Sequence, residues 1–115
     1  MRRVTVTNET RSRSLGDRIG VADGFWTRLR GLLGRPEPEA GEGLLITPSR
    51  GVHMLGMRYA LDVLLVDGDR RVLESYPGLA PGGRTRVHRK ARHALELPTG
   101  TIDRTGTREG DVLTW

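Results

Sequence analysis

The chain has 115 residues, enough for one hydrophobic core and too few for two domains of ordinary size. It contains no cysteine, which excludes disulfides, thiolate nucleophiles and Cys-ligated metal sites, and only 4% aromatic residues, so Leu, Val and Ile must build the core. The formal net charge of +5 is unevenly placed, because no acid lies between Glu74 and Glu96 in a window that holds Arg84, Arg86, Arg89, Lys90 and Arg92.

Residues Arg3 to Asn8 alternate polar and apolar, the period of a half-exposed strand, and Leu15 to Ile19 reads as a second short one. Met1 to Val6 lacks the apolar stretch of a signal peptide, and no run approaches the roughly 20 apolar residues of a membrane span. A soluble, cytoplasmic protein without membrane contact is therefore expected. Asp23 is placed to cap a helix. Phe25, Trp26, Leu29, Leu32 and Leu33 follow at helical spacing, with Arg28, Arg30 and Arg35 opposite, and Gly34 and Pro36 are the expected stop. The spacing predicts a helix over 23–33, buried through Phe25, Trp26, Leu29 and Leu33.

Pro36 to Gly43 is an acidic loop, and Gly43 to Pro48 reads as a buried strand stopped by proline. The next stretch, Gly51 to Asp69, organises the chain. A polar-and-Met knot, His53 to Arg58, leads into the most apolar run, Leu61 to Val66. Asp67-Gly68-Asp69-Arg70 predicts a hairpin turn and Arg71 to Tyr76 the return strand. Tyr76 to Gly83, rich in Pro and Gly, predicts a loop. His93 to Pro98 alternates as a strand, Thr99 to Gly106 is a turn with room for one helical turn, and Gly110 to Trp115 closes the chain as a strand.

Short strands, tight turns and one helix predict a single, mainly β domain: a small antiparallel β-sandwich or a partly open β-barrel with one short α-helix. A parallel sheet is not expected, because only one helix is long enough to serve as a crossover.

Arg30-Gly31-Leu32-Leu33-Gly34-Arg35, Val52-His53-Met54, Leu61-Asp62-Val63, Val66-Asp67, Leu95-Glu96-Leu97 and Gly110-Asp111, in this order and spacing, resemble the prokaryotic domain of unknown function family 192. The resemblance runs from the first strand to the last. It implies a compact β-rich domain of a kind often secreted or membrane-tethered, and brings no established activity. Many relatives read Phe-Trp-Met-Lys-Asn before Pro-Leu-Asp. Here Met54, Leu61 and Asp62 match, whereas the Trp, Lys and Asn positions are His53, Leu55 and Gly56. The absence of an export signal is a second departure.

Among candidate sites, His53, Met54 and Met57 form an imidazole–thioether set suited to Cu(I). Packing by the Met side chains and hydrogen bonding by His53 is the expectation, with neither metal nor cofactor. Asp62 is a carboxylate in the most apolar strand and needs partners there. Arg58, His53 or an Arg of the basic window could pair with it, or the amides of the preceding loop could hold it, or it could line a ligand pocket. A hydrolase would need Asp62 to face a second acid such as Glu96 or Asp111. No serine sits in a nucleophile elbow, and the glycine clusters lack the lysine and setting of a phosphate loop. Arg84, Arg86, Arg89, Lys90 and Arg92 could form an anion-binding patch for nucleic acid or an acidic partner, although Tyr76 is the only nearby aromatic to stack a base.

These observations favour a non-enzymatic binding module. Its pocket would lie near His53, Met54, Met57, Arg58 and Asp62, for a polar or anionic small molecule or a peptide segment. Binding of nucleic acid or an acidic partner through Arg84–Arg92 comes second, and a hydrolase using Asp62 and Glu96 last.

Overall fold

The computed structural model describes residues 1–115. It comprises β1 (Arg3–Asn8), β2 (Arg13–Ala22), α1 (Phe25–Arg30), β3 (Glu42–Ile46), β4 (Leu61–Asp67), β5 (Val72–Leu79), β6 (Ala91–Leu97), α2 (Thr101–Thr105) and β7 (Leu113–Thr114). The seven strands form one sheet in the order β5-β4-β6-β3-β2-β1-β7. Its two ends nearly meet. The Val72 amide donates to the Asp111 carbonyl, the Gly110 amide to the Val72 carbonyl and the Leu113 amide to the Arg70 carbonyl, each at 2.8 Å. β7 in turn pairs with β1. The sheet thus curls into a partly open barrel, the mainly β architecture that the turns and short strands predict.

Alternation along the strands sorts the core into two faces. Val6, Leu15, Ile19, Val21, Leu45, Leu64, Val66, Leu95 and Leu97 point inward, and Ile102 of α2 joins them. Leu44, Ile46, Leu61, Val63, Leu65 and Ala94 point outward, where Leu32, Met54 and the half-buried Met57, Tyr59 and Tyr76 cover them. β4 is covered on both faces, so its sequence is a continuous apolar run rather than an alternating one.

Three expectations need correction. First, β2 and β3 pair in parallel, from Arg18↔Glu42 to Ala22↔Ile46, while every other neighbouring pair is antiparallel. The crossover between them runs through α1, the one helix that sequence offered for that task.

Second, α1 is only six residues long, and none of them is buried. Gly24 rather than Asp23 is its N-cap. The Thr27 hydroxyl accepts from the Gly24 amide at 3.1 Å, and Asp23 stays exposed. Gly31, at φ 55° and ψ −130°, ends the helix in a conformation that a Cβ disfavours. The chain leaves helical phase there. Leu32 swings into the outer core, while Phe25, Trp26, Leu29 and Leu33 remain at the surface.

Third, β5 runs on through Pro77 and Gly78 to Leu79, where a loop was expected. As the edge strand next to β4, it tolerates a proline without an amide proton. A register shift opposite Leu61–Val63 absorbs Gly78, at φ 62°. No helix is long and apolar enough to cross a membrane.

Candidate functional site

Asp62 points into the barrel on the face of Leu64 and is almost fully buried. One oxygen accepts from the Gly78 amide at 2.8 Å, the other from the Ile102 amide at 2.9 Å. The carboxylate therefore ties the β5 irregularity and the first turn of α2 to the central strand. Its partners are backbone amides, as a structural role requires. They come from distant segments, not from Arg58 or the preceding loop, because strand alternation turns Asp62 away from that loop.

The registers Asp62↔Leu97 and Val63↔Glu96 place Asp62 and Glu96 on opposite faces of the sheet. They cannot act on one bond, so the paired-carboxylate reading of a hydrolase fails on geometry. Asp111 is likewise occupied. It accepts from Arg11 Nε at 2.6 Å, Asn8 Nδ2 at 2.9 Å and the Arg108 amide at 2.9 Å. Burial pushes its carboxyl up, but these donors outweigh that and hold it below the usual carboxylate range.

Glu96 differs from both. It leaves β6 on the outer face beside Ala94, is 4% exposed, and its Oε1 is buried without a hydrogen-bond partner. Burial pushes its carboxyl up to about 7. The oxygen lies at the floor of a cavity of about 170 Å³ whose walls include Arg28, Gly31, Leu33, His53 and Met57. A Cβ on Gly31 would sit 3.5 Å from Glu96 Oε1, so the end of α1 closes directly over the carboxyl. Arg28 and Arg30 line the cavity, yet the ion pairs of the molecule are Arg11–Asp111 and Arg18–Asp17, and Glu96 has none. Arg28 Nε is also buried without a partner, while its Nη1 donates to the Pro48 carbonyl at 3.3 Å.

A second cavity of about 600 Å³ adjoins the first, shares Leu32, Leu33 and Met57 with it, and adds Arg35, Arg58 and Tyr59. The Tyr59 hydroxyl sits among the carbonyls of Leu32, Arg35 and Pro36, 3.0 Å from that of Arg35, and clamps the turn after α1 to the knot. Burial and then the nearby Glu96 raise its pKa.

The knot is thus split among several environments. His53 is exposed and Met57 half-buried at the first cavity, and Arg58 is exposed at the second. Met54 is fully buried core, and Asp62 is on the far side of the sheet. The basic window, by contrast, joins the knot. The Met54 amide donates to the Gly83 carbonyl at 2.7 Å, the Thr85 amide to Val52 at 3.0 Å and the His88 amide to Arg50 at 2.9 Å, and His53 bridges Arg84. The segments that sequence treated as separate candidates form one antiparallel ribbon. Arg84, Arg86, Arg89, Lys90 and Arg92 are all exposed along or beyond it.

In the sequence Glu96 stands out only as a possible partner for Asp62 and as part of the Leu95-Glu96-Leu97 motif, and the apolar residues of α1 have the spacing of core. The missed signal is the short span from Asp23 to Gly31, with seven residues between: too short to bury a stripe, it leaves the helix as a cover over the outer face.

Four matches bear on the identity of the chain. A protein of unknown function from Novosphingobium aromaticivorans superposes with a TM-score of 0.82 at 25% identity, covering 98% of this chain and 84% of that one. A protein from Sinorhizobium meliloti described as a candidate transcription regulator superposes at 0.78 and 25% identity, covering 97% and 91%. The UPF0127 protein of Thermococcus sibiricus is 28% identical over 118 residues, covering 94% of this chain and 72% of its own. The family DUF192, described as an uncharacterized ACR, matches residues 4–115. The chain belongs to that family.

Proposed function

We propose that this protein is a non-enzymatic binding module whose site is the cavity between the end of α1 and the His53–Met57 knot. The observation that carries this reading is Glu96 Oε1, a buried carboxyl oxygen with no partner at the floor of an otherwise half-apolar cavity. Leaving such an oxygen unpaired costs about 1–3 kcal/mol, which a ligand offering a hydrogen bond would recover. The ligand class is a polar small molecule or a peptide segment that sets an N–H donor beside an apolar group, the latter for Leu33 and Met57. An anion suits the site less, since it would meet Glu96 whenever that group is ionised. Asp62 supports the module by holding the central strand, and Arg58 by edging the adjoining cavity.

N-acetyl-leucinamide, an amide with one apolar side chain, is a suitable probe for amide-resonance titration. Shifts should concentrate at Gly31, Leu33, His53 and Met57 and be lost in Glu96→Leu. Shifts scattered over the surface, or unchanged in that variant, would overturn the reading. Binding should strengthen as pH rises through 7, because the ionised carboxylate is the better acceptor for a neutral N–H. The charged and titratable groups around it are Arg28 and Arg30 from α1, Arg35, His53 and Tyr59.

A second reading is a weak nucleic-acid or acidic-partner contact through Arg84, Arg86, Arg89, Lys90 and Arg92. All five are exposed, and the Sinorhizobium meliloti relative is described as a candidate transcription regulator. Tyr76, beside Arg84 and Arg86, has its hydroxyl bonded to Glu74 and the Arg86 amide. Such binding would rest on phosphate contacts and fall steeply with salt. Changing Arg86, Arg89 and Lys90 to Ser should abolish it without altering the melting temperature.

A further inference from the structure

Five of the seven exposed large apolar side chains of the molecule lie on α1, on the turn after it or on the His53–Met57 knot. Phe25 is 64%, Trp26 76%, Leu29 65% and Leu55 73% exposed, and Leu33 adjoins them at 42%. Phe25 and Trp26 stack edge to face, with ring centroids 5.1 Å apart, and lie outside the walls of both cavities. Phe25 and Trp26 thus stand out of the body, while Leu29, Leu33 and Leu55 form the outer lip of the first cavity. A contiguous apolar cluster of this kind marks an interaction surface.

The charges around the cluster decide what it meets. Between Asp23 and Glu37 every charged residue is an arginine, namely Arg28, Arg30 and Arg35, and the exposed Arg58 lines the second cavity beside Leu33. None of these guanidiniums is in an ion pair. A second copy of the chain would set these arginines against their own equivalents. A peptide groove would enclose Phe25 and Trp26, which neither cavity does. Protruding Trp, Phe and Leu within a basic collar match the water–lipid interface of a bilayer with anionic headgroups. There the rings and Leu side chains enter the acyl boundary and the arginines meet phosphates.

We propose that Phe25, Trp26, Leu29, Leu33 and Leu55 form a docking surface for an anionic lipid bilayer. Membrane contact is not expected from the sequence, whose apolar runs are too short for a span and in which Phe25, Trp26, Leu29 and Leu33 have the spacing of core. The surface shares Leu29, Leu33 and Leu55 with the lip of the Glu96 cavity, but docking uses no hydrogen bond from the carboxyl, and Glu96→Leu should leave it unchanged.

The test uses the full chain with Trp115→Phe, so that Trp26 is the sole indole, and vesicles of phosphatidylglycerol with phosphatidylcholine. Trp26 emission should shift to the blue and be quenched by acyl chains brominated near the headgroup. Co-sedimentation should fall about tenfold in Phe25→Ser/Leu29→Ser and also fall with salt or on pure phosphatidylcholine. Three results would overturn the proposal. One is no co-sedimentation with anionic vesicles. A second is co-sedimentation without quenching, lost only on changing Arg86, Arg89 and Lys90 to Ser, which would indicate adhesion by net charge. The third is a blue shift that follows protein concentration without lipid, which would identify a second copy as the occupant.

Discussion

Asp62 and Glu96 start from adjacent rungs of the β4–β6 ladder and meet opposite fates. Asp62 enters the barrel interior and finds a backbone amide for each oxygen. Glu96 leaves on the outer face, is covered by the end of α1, and keeps an oxygen without a donor. Both are buried, so burial alone does not distinguish a carboxylate that holds a fold together from one that weakens it. The difference lies in the count of donors. The inner face is built to be complete, and the outer face has its polar demand left open beneath a cover whose own apolar side chains are exposed.

The largest consequence should appear in the pH dependence of stability. The folded carboxyl of Glu96 titrates at about 7 and the unfolded one at its ordinary 4.5, so the folded state holds the extra proton between those values. Stability from this group is complete below pH 4.5 and declines as pH rises to 7, by a total of about 3 kcal/mol. Glu96→Gln removes that decline. It should therefore leave urea midpoints near the parent at pH 4 and raise stability by up to about 3 kcal/mol at pH 8. Parallel curves for the two proteins would break the comparison from the outer side.

On the inner side, Asp62→Ala strands the Gly78 and Ile102 amides and should cost about 2 kcal/mol in denaturant unfolding. Asp62→Asn should cost nearly as much, because it supplies one acceptor and turns an amide donor toward the other backbone donor. Wild-type midpoints in both would mean that the inner carboxylate is not structural. The smallest effect belongs to the cover itself. Trp26→Ser and Leu29→Ser should each change thermal stability by no more than about 0.5 kcal/mol, since both side chains are already in water. A loss of 2 kcal/mol would place them in the core that sequence had predicted.

That last contrast locates the limit of the sequence. Strand positions were legible because their signals are local. Arg3 to Asn8 alternates, Leu61 to Val66 is an unbroken apolar run, and Asp67 to Arg70 is a turn. Asp62 was legible as a misfit that needed partners, but not which partners, since Gly78 and Ile102 are 16 and 40 residues away. The role of α1 was hidden because Phe25, Trp26, Leu29 and Leu33 have the same spacing whether they face a core or a solvent boundary. Only the break at Gly31 separates the two. Glu96 was hidden by the same gap, for alternation in His93 to Leu97 marks its face as polar and cannot say that α1 lies over it.

The most direct test is the titration of the Glu96 side-chain carboxyl carbon by NMR in protein labelled at glutamate, with Glu96→Gln assigning the resonance. The midpoint should lie near 7 and move downward when N-acetyl-leucinamide occupies the cavity. A midpoint near 4.5, unmoved by the amide, would contradict the role proposed for Glu96.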